Sequence, residues 1–276
     1  AKTHVEYKDY GKIRILRGNY LPDTCQWEWQ NIALLEKEPY DLRDPKFFID
    51  SNNNLRLIID ASVIDKEDAT KQLIPYTAYL NNNLEWVLEK ANVDPSADGA
   101  KGQWLWRVTW NDQKKAGYGF SYKESDTLSL MKTTDGIKYE KIATVSTDKL
   151  TKNEQLSEST IRFQPDGTAI ALIRTERHGL IGISKDSDYT KWSFEVIPFR
   201  IGGPNFVVSE RDEKIWAAAR YLFLNKDNTL DDATIVASMN EKEFVPRLRL
   251  KSGFDSSYPG LVLEEDGSLT VLYYSS

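Results

Sequence analysis

The sequence predicts an all-β fold, and specifically a β-propeller built from four-stranded antiparallel blades. The stretch from 158 to 192 reads as one complete blade, because β-prone runs at 160–163 and 169–173 flank the hairpin turn Pro165-Asp166-Gly167. Two further short strands follow it, the last one directly after Trp192. A four-stranded sheet of about 40 residues cannot bury both of its faces alone, so it must stack against similar sheets.

Two features of this unit recur along the chain with one period. The closing aromatic residues are separated by 57, 53, 53 and 52 positions, and they are Trp29, Trp86, Tyr139, Trp192 and Phe244. Polar hairpin turns recur between them, near positions 53, 112, 166, 212 and 266. A period of roughly 50 residues suits a propeller blade. The alternative is a β-sandwich in which the turn spacing is coincidental.

Composition agrees with an all-β domain. The 276 residues include 8 Trp and 14 Tyr but only 2 Met, and no long stretch has helical periodicity. Because no linker or low-complexity run divides the chain, we expect residues 1–276 to form one propeller domain. Five inner and five outer hairpins can be counted, which suits five closed blades or a six-bladed domain cut at both ends. If the chain closes as five blades, strand 12–16 is expected in the same sheet as strand 269–273.

Several function classes are disfavoured. A net charge of −6 argues against nucleic acid as a partner, and no apolar run is long enough for a membrane span. A single cysteine, Cys25, excludes an internal disulfide. His4 and His178 are far apart in sequence, and the phosphate-loop, nucleophile-elbow and zinc-protease motifs are missing. We therefore expect no metal and no cofactor, and we expect a monomer.

Polar and aromatic residues cluster where each innermost strand begins, which is the mouth of a propeller's central funnel. The candidates for this site, in chain order, are Arg43, Asp44, Trp106, Arg107, Glu158, Arg174, Asn205, Arg220 and Tyr258, with His4 in the polar segment before the first strand. Four of these residues have a structural alternative. Arg43 and Asp44 could form a solvated salt bridge in a turn. Arg107 could pack against a tryptophan between blades, and Tyr258 could be a core residue.

The chain resembles sialidases, and in particular the sialidase-like glycoside hydrolases common in gut Bacteroidetes. The degenerate Ser/Thr-x-Asp turns with a following aromatic are similar to Asp-boxes of the BNR-repeat type. Four motifs carry the rest of the resemblance: Asp-Leu-Arg-Asp-Pro-Lys, Trp-Leu-Trp-Arg-Val-Thr-Trp, Gly-Gly-Pro-Asn-Phe and Ser-Tyr-Pro-Gly. It covers nearly the whole chain and implies a six-bladed propeller, although Asp-boxes mark the fold and not the chemistry.

The resemblance also implies roles for individual residues. Sialic acid carries a carboxylate on its anomeric carbon, which would repel a carboxylate nucleophile, so sialidases use a neutral tyrosine. By this resemblance Tyr258 is the nucleophile, Glu158 its base, Asp44 the acid/base and Arg174 a clamp for the substrate carboxylate. Arg107 and Arg220 are candidates for the remaining clamp.

The chain departs from sialidases in one respect, because it has no Arg-Ile-Pro strand to carry the first clamp arginine. We therefore weigh an exo-acting hydrolase of an acidic sugar against a non-catalytic carbohydrate-binding propeller. A third reading is a propeller glycosidase that uses two carboxylates, such as Asp44 with Glu158. A glycan or small acidic sugar is the expected partner, and the expected location is periplasmic, cell-surface or secreted.

Overall fold

A computed structural model describes residues 10–64, 71–94, 102–123, 126–147, 154–209, 211–224, 230–253 and 255–275. Within them the chain forms 22 β-strands and no helix. The fold is an all-β propeller, as predicted, with four antiparallel blades followed and preceded by a two-stranded ribbon.

The first blade contains β3 (Asp41–Ile49), β4 (Leu55–Ile64), β5 (Lys71–Leu80) and β6 (Trp86–Lys90). The second contains β7 (Asn92–Val93), β8 (Trp104–Leu105), β9 (Thr109–Asn111), β10 (Ala116–Tyr122), β11 (Thr127–Thr133) and β12 (Lys138–Ser146). The third contains β13 (Ser159–Phe163), β14 (Ala169–Arg174), β15 (Gly179–Ser184) and β16 (Ser193–Ile197). The fourth contains β17 (Ile201–Val208), β18 (Ile215–Leu224), β19 (Leu230–Met239) and β20 (Phe244–Arg249). The two ribbons are β1 (Ile13–Leu21) with β2 (Gln26–Leu35), and β21 (Ser256–Leu263) with β22 (Leu269–Ser275).

The five recurring inner hairpin turns are confirmed. Each of them contains a residue with positive φ between the two innermost strands, and these residues are Asn53, Lys115, Gly167, Glu213 and Gly267. A positive φ reverses the chain tightly and is tolerated best by glycine and asparagine, which explains the polar, glycine-containing turn signals in the sequence.

The turns that contain Asp135 and Asp186 lie before the outermost strands of the second and third blades. Asp135 accepts backbone hydrogen bonds of 2.8 Å from both Ile137 and Lys138, and Asp186 accepts one of 2.9 Å from Thr190. These side chains satisfy backbone donors that the turn leaves unpaired. Such turns shape the outer edge of each blade, far from the innermost strands.

The blades are held together by apolar faces that pack against each other. One core cluster joins the second and third blades and includes Phe120 and Ala171. A second cluster joins the third and fourth blades and includes Ile181 and Phe206. Alanine and glycine are common in the middle strands, which lets adjacent sheets approach closely. This stacking fixes the positions of the innermost strands around the central channel.

The prediction that strands 12–16 and 269–273 lie in one sheet is wrong. In the described chain β1 pairs with β2, β21 pairs with β22, and the two ribbons form separate sheets. The reason is that the apolar side of β1 is buried against the first blade, where Ile13 and Ile15 join a cluster with Leu42 and Leu57. The count of five blades therefore corresponds to four complete blades and two half-blades.

Three of the repeat aromatics, Trp86, Tyr139 and Trp192, are predicted to be buried structural residues, and of these three Tyr139 is buried. Trp86 and Trp192 are half-buried, and each packs against a core cluster. Trp192 nevertheless packs on Phe120 of the second blade at a ring distance of 5.4 Å, and its Nε1 donates a 2.7 Å hydrogen bond to the Tyr189 carbonyl.

Trp192→Ala is expected to lower the free energy of unfolding by about 2 to 3 kcal/mol, less than for a fully buried tryptophan. The loss comes from the contact between blades and from the hydrogen bond. Urea denaturation followed by circular dichroism measures it, with exposed Trp29→Ala as the control, expected to cost under about 1 kcal/mol. Equal losses in the two variants would contradict a role for Trp192 in joining the blades.

Candidate active site

Three innermost strands carry the same irregularity at the funnel. Asp44, Gly203 and Tyr258 have φ values of 51°, 56° and 48°, and each is followed by proline. At each of them the register with the neighbouring strand shifts, as in a β-bulge. Asp44, Gly203 and Tyr258 thus occupy equivalent positions in the first blade, the fourth blade and the C-terminal ribbon.

This conformation is costly for the two residues that have side chains. A residue before proline favours extended backbone, and a left-handed φ costs a non-glycine residue on the order of 1–3 kcal/mol. Strain of this kind occurs mainly at functional sites, where the surrounding structure holds it in place. Asp44 and Tyr258 are therefore the first residues to consider for chemistry.

Tyr258 and Glu158 are in direct contact. The Tyr258 hydroxyl donates a 2.7 Å hydrogen bond to Glu158 Oε1, as the sequence predicted. The same carboxylate accepts 2.7 Å from the Arg174 guanidinium and 2.6 Å from the backbone N–H of Gly203. Glu158 is almost fully buried, so these three donors hold its carboxylate in one orientation.

Tyr258 lies between other aromatic rings at the funnel. Its ring is 5.8 Å from the buried Trp106 and stacks on Tyr274 at 6.1 Å. Burial, followed by the negative charge of Glu158, raises the pKa of Tyr258 well above its ordinary value. The phenol is therefore protonated throughout the physiological range, yet 37% of the residue is open to solvent.

Asp44 belongs to the same funnel. It is half-buried, and its negative charge contributes to the raised pKa of both Tyr258 and the neighbouring Tyr122. Asp44 is thus close enough to Tyr258 for its charge to act on the phenol, and Tyr258 is in contact with Glu158. The catalytic roles of these three residues remain predictions.

Of the predicted arginines, Arg174 and Arg220 lie at the funnel and already have carboxylate partners. Arg174 pairs with Glu158, as described above. Arg220 is 5.8 Å from the ring of Tyr258 and donates to Asp255, at 2.8 Å, and to the Tyr274 hydroxyl, at 2.9 Å. Its third bond, of 2.7 Å, goes to the carbonyl of Ser256.

Arg43 and Asn205 have mainly structural contacts. Arg43 donates 2.6 Å bonds to the buried Asp41, which also accepts the backbone N–H of Gly11 at 2.8 Å. Asn205 is buried, donates to the Pro259 carbonyl at 2.9 Å and accepts from Arg162 at 3.1 Å. The bonds of Arg43 stay within its own strand, whereas those of Asn205 join the fourth blade to the third blade and to the C-terminal ribbon.

Arg107 is half-buried, and its predicted contact with a ligand stays a prediction. Burial, followed by the charge of Arg162, lowers its pKa. Its Nε atom has no hydrogen-bond partner among the described residues. His4, the remaining candidate, lies outside the described residues.

Sequence reasoning missed a buried ion pair below the site. Lys46 Nζ is 3.7 Å from Asp60 and lies 3.3 Å from the centre of the Trp106 ring. Burial lowers the pKa of Lys46 to about 8 and raises that of Asp60 well above its ordinary value. Asp60 occurs inside an apolar strand pattern, and a carboxylate there is the signal that could have identified it.

Arg200 was also missed, because it precedes the Gly-Gly-Pro motif and matches no motif itself. It lines a cavity of about 500 Å³ beside the Tyr258–Glu158 pair. The cavity is bounded by Trp104, Tyr122, Gln155, Leu156, Ser157, Glu158, Arg174, Thr175, Glu176 and Arg200. Among the described residues no group of three or more His, Cys, Asp and Glu side chains is placed to hold a metal ion.

Comparison with solved structures finds propellers. A protein of unknown function from Dyadobacter fermentans superposes with a TM-score of 0.71 at 15% identity, covering 92% of this chain and 78% of that one. An endo-arabinase from Bacteroides thetaiotaomicron superposes with a TM-score of 0.54 at 12% identity, covering 84% of this chain and 88% of that one. A sucrose-6-phosphate hydrolase from Lactobacillus gasseri gives 0.57 at 15% identity, covering 83% of this chain and 53% of that one.

These similarities establish the propeller fold, and they do not single out sialidases. The structural neighbours also include a GH32 β-fructofuranosidase and a GH62 hydrolase, so they are propeller glycoside hydrolases of several kinds. The chain spans only about half the length of the fructofuranosidases it matches. No protein-family model and no curated protein matches by sequence. In the described residues no helix is long and apolar enough to cross a membrane.

Proposed function

We propose that this protein is a glycosidase that removes a terminal acidic sugar from a glycan, with Tyr258 as the nucleophile and Glu158 as its base. The observation that supports this most is the 2.7 Å hydrogen bond between the Tyr258 hydroxyl and Glu158 Oε1, in a funnel open to solvent. A nucleophile hydrogen-bonded to a base, which is oriented in turn by a third group, is the arrangement that covalent catalysis requires. Arg174 and Gly203 orient the base here.

In the first step the phenol oxygen of Tyr258 attacks the anomeric carbon while its proton passes to the Glu158 carboxylate. The glycosidic bond breaks, and Asp44, in the fraction of molecules in which it carries a proton, gives that proton to the departing oxygen. The sugar is then joined to Tyr258 through an ether bond to the anomeric carbon. Because the pKa of Tyr258 is raised, the free phenolate is scarce and the reaction depends on the base.

In the second step water attacks the anomeric carbon and gives a proton to Asp44, which is now the base. The bond to Tyr258 breaks, and the phenol oxygen recovers its proton from Glu158. Both side chains are restored, so the net reaction is hydrolysis. A neutral nucleophile suits a sugar with a carboxylate near its anomeric carbon, which a carboxylate nucleophile would repel.

The surroundings of the pair are suited to such a sugar. Arg174, Arg200 and Arg220 lie close enough to affect one another, because the charges of Arg174 and Arg220 help to lower the pKa of Arg200 after the larger effect of burial. Trp106 and Tyr274 supply aromatic surface beside the nucleophile. We also propose an extracytoplasmic location, where such glycans occur.

The first experiment is a turnover screen of the purified protein against 4-nitrophenyl and 4-methylumbelliferyl glycosides of sialic acid, uronic acids and neutral sugars. Hydrolysis confined to acidic glycosides supports the proposal. Hydrolysis of neutral glycosides alone would contradict the substrate class, and binding without any hydrolysis would favour a carbohydrate-binding propeller.

Asp44→Asn is expected to lower hydrolysis by about 10²- to 10⁴-fold for a glycoside with a poor leaving group such as a sugar alcohol. A 4-nitrophenyl leaving group needs little protonation, so the loss should be much smaller for it. The ratio of the two rates in the variant and the parent measures the effect. Asp112→Asn, at an inner hairpin turn away from the funnel, should change neither rate, and equal losses on both substrates would contradict an acid role for Asp44.

A further inference from the structure

The cations around the candidate site differ in how their charge is balanced. Arg174 is paired with Glu158 and Arg220 with Asp255, so each guanidinium already has a carboxylate at 2.7 to 2.8 Å. Arg200 has neither a hydrogen bond nor an ion pair among the described residues. It directly precedes β17, the innermost strand of the fourth blade, and it is half-buried in the cavity wall.

An arginine that has no carboxylate partner, and on which the charges of two other arginines act, is energetically unfavourable. Burial removes part of its hydration, and the positive charges of Arg174 and Arg220 repel it, which together lower its pKa. The carboxylates of Glu158 and Glu176 act in the opposite direction from a distance. An anionic group that enters the cavity would relieve this imbalance and would gain charge-assisted hydrogen bonds.

The rest of the cavity wall has the composition of a sugar site. Trp104 offers aromatic surface, and Gln155, Ser157 and Thr175 offer hydrogen-bonding groups. Glu158 belongs both to this wall and to the pair with Tyr258. A ligand bound here therefore reaches Glu158, the carboxylate that accepts the Tyr258 hydroxyl.

We propose that Arg200 is the residue that recognises the acidic group of the substrate, and that the cavity of about 500 Å³ beside Glu158 is where this group binds. This inference rests on the proposed function for the identity of the substrate, and it reassigns the clamp predicted from the sequence. Arg174 acts instead as a positioning residue for Glu158. Arg220 holds Asp255 and Tyr274 beside the nucleophile.

The test measures binding separately from turnover. In a Tyr258→Phe background, which cannot form a bond to the sugar, the affinities of N-acetylneuraminic acid, glucuronic acid and uncharged glucuronamide are measured by calorimetry or NMR titration. The acidic sugars should bind, and their affinity should fall as the salt concentration increases. Glucuronamide should bind less tightly than glucuronic acid. Arg200→Gln should lower affinity for the acidic sugars by about tenfold or more and leave that for glucuronamide nearly unchanged.

Two further variants make the result specific. Arg177 is an exposed arginine between β14 and β15 of the third blade, and it does not line the cavity. Arg177→Gln should therefore leave the affinity for every sugar unchanged. Arg200→Lys keeps the charge and should recover part of the lost affinity, because lysine cannot form the planar paired contact. A steep loss in Arg200→Gln with rescue in Arg200→Lys identifies charge recognition.

The outcomes separate this inference from the proposed function. If acidic sugars bind as tightly to Arg200→Gln as to the parent, or if the parent binds none of them, the assignment of Arg200 is wrong. The turnover screen decides independently whether the protein is a glycosidase. In an active enzyme, the Arg200→Gln change should appear mainly as a higher KM for acidic glycosides, with a smaller effect on kcat.

Discussion

Tyr258→Phe is expected to lower turnover of an acidic aryl glycoside by about 10³-fold or more while the protein remains folded. The substitution removes the attacking oxygen and keeps the ring, so the contacts of the ring with Trp106 and Tyr274 persist. Glu158 loses one hydrogen bond but keeps those from Arg174 and Gly203. The cost in unfolding free energy should therefore be only about 1 kcal/mol.

The measurement is the initial rate of release of the aryl group, together with a thermal melt of each protein. Tyr273→Phe is the matched control, because its hydroxyl lies on the same ribbon but donates to the carbonyl of Lys251, at 2.7 Å. That variant should retain nearly full activity. If Tyr258→Phe also retains it, tyrosine is not the nucleophile.

A combination of variants distinguishes the tyrosine mechanism from one that uses two carboxylates. If Asp44→Asn and Glu158→Gln abolish turnover while Tyr258→Phe does not, the two carboxylates act without the tyrosine. Glu158→Gln on its own cannot decide between the mechanisms, because Glu158 is the base in one and a direct participant in the other. Tyr258→Phe is therefore the decisive substitution.

The sequence predicted the blades well because their signals are local. The turns around Asp166 and Asp266 place aspartate and a positive-φ glycine in adjacent positions, and each is a β-hairpin in the structure. The pairing of the terminal ribbons could not be predicted in this way. Whether β1 pairs with β22 or lies against the first blade depends on long-range packing of Ile13 and Ile15, which no local pattern records.

The contact of Tyr258 with Glu158 could be predicted because both residues mark the beginning of an innermost strand. A further signal was present but not used, since Asp44, Gly203 and Tyr258 each precede a proline, at the same point of three innermost strands. Arg200 could not be identified from the sequence. Its distinguishing property is the lack of a partner, and this becomes visible only when the contacts of Arg174 and Arg220 are known.

Asp60→Ala is expected to give the largest loss of stability, about 3 to 5 kcal/mol of unfolding free energy. Asp60 and Lys46 are both buried, and the Asp60 carboxylate lies 3.7 Å from the Lys46 ammonium. Removing it leaves a buried positive charge against the ring of Trp106, 3.3 Å from its centre. Because Trp106 in turn contacts Tyr258, the damage should reach the candidate site as well.

The pH dependence of this loss has a definite sign. Lys46 has an ordinary pKa of 10.5, and burial lowers it to about 8 in the folded parent even though the charge of Asp60 opposes the shift. In Asp60→Ala that opposing charge is gone, so the pKa of Lys46 falls further. Between the folded and unfolded pKa values the unfolded chain binds more protons, and stability rises with pH. The deficit of the variant, measured by urea denaturation, should therefore be smaller at pH 9 than at pH 7.

Lys46→Met combined with Asp60→Leu provides the control for this explanation. The double variant removes both charges and fills similar volume, so it should recover most of the stability lost in Asp60→Ala. Its unfolding free energy should also lose the dependence on pH between 7 and 9. If the double variant is as unstable as Asp60→Ala, the loss comes from packing around Asp60 and not from the unpaired charge of Lys46.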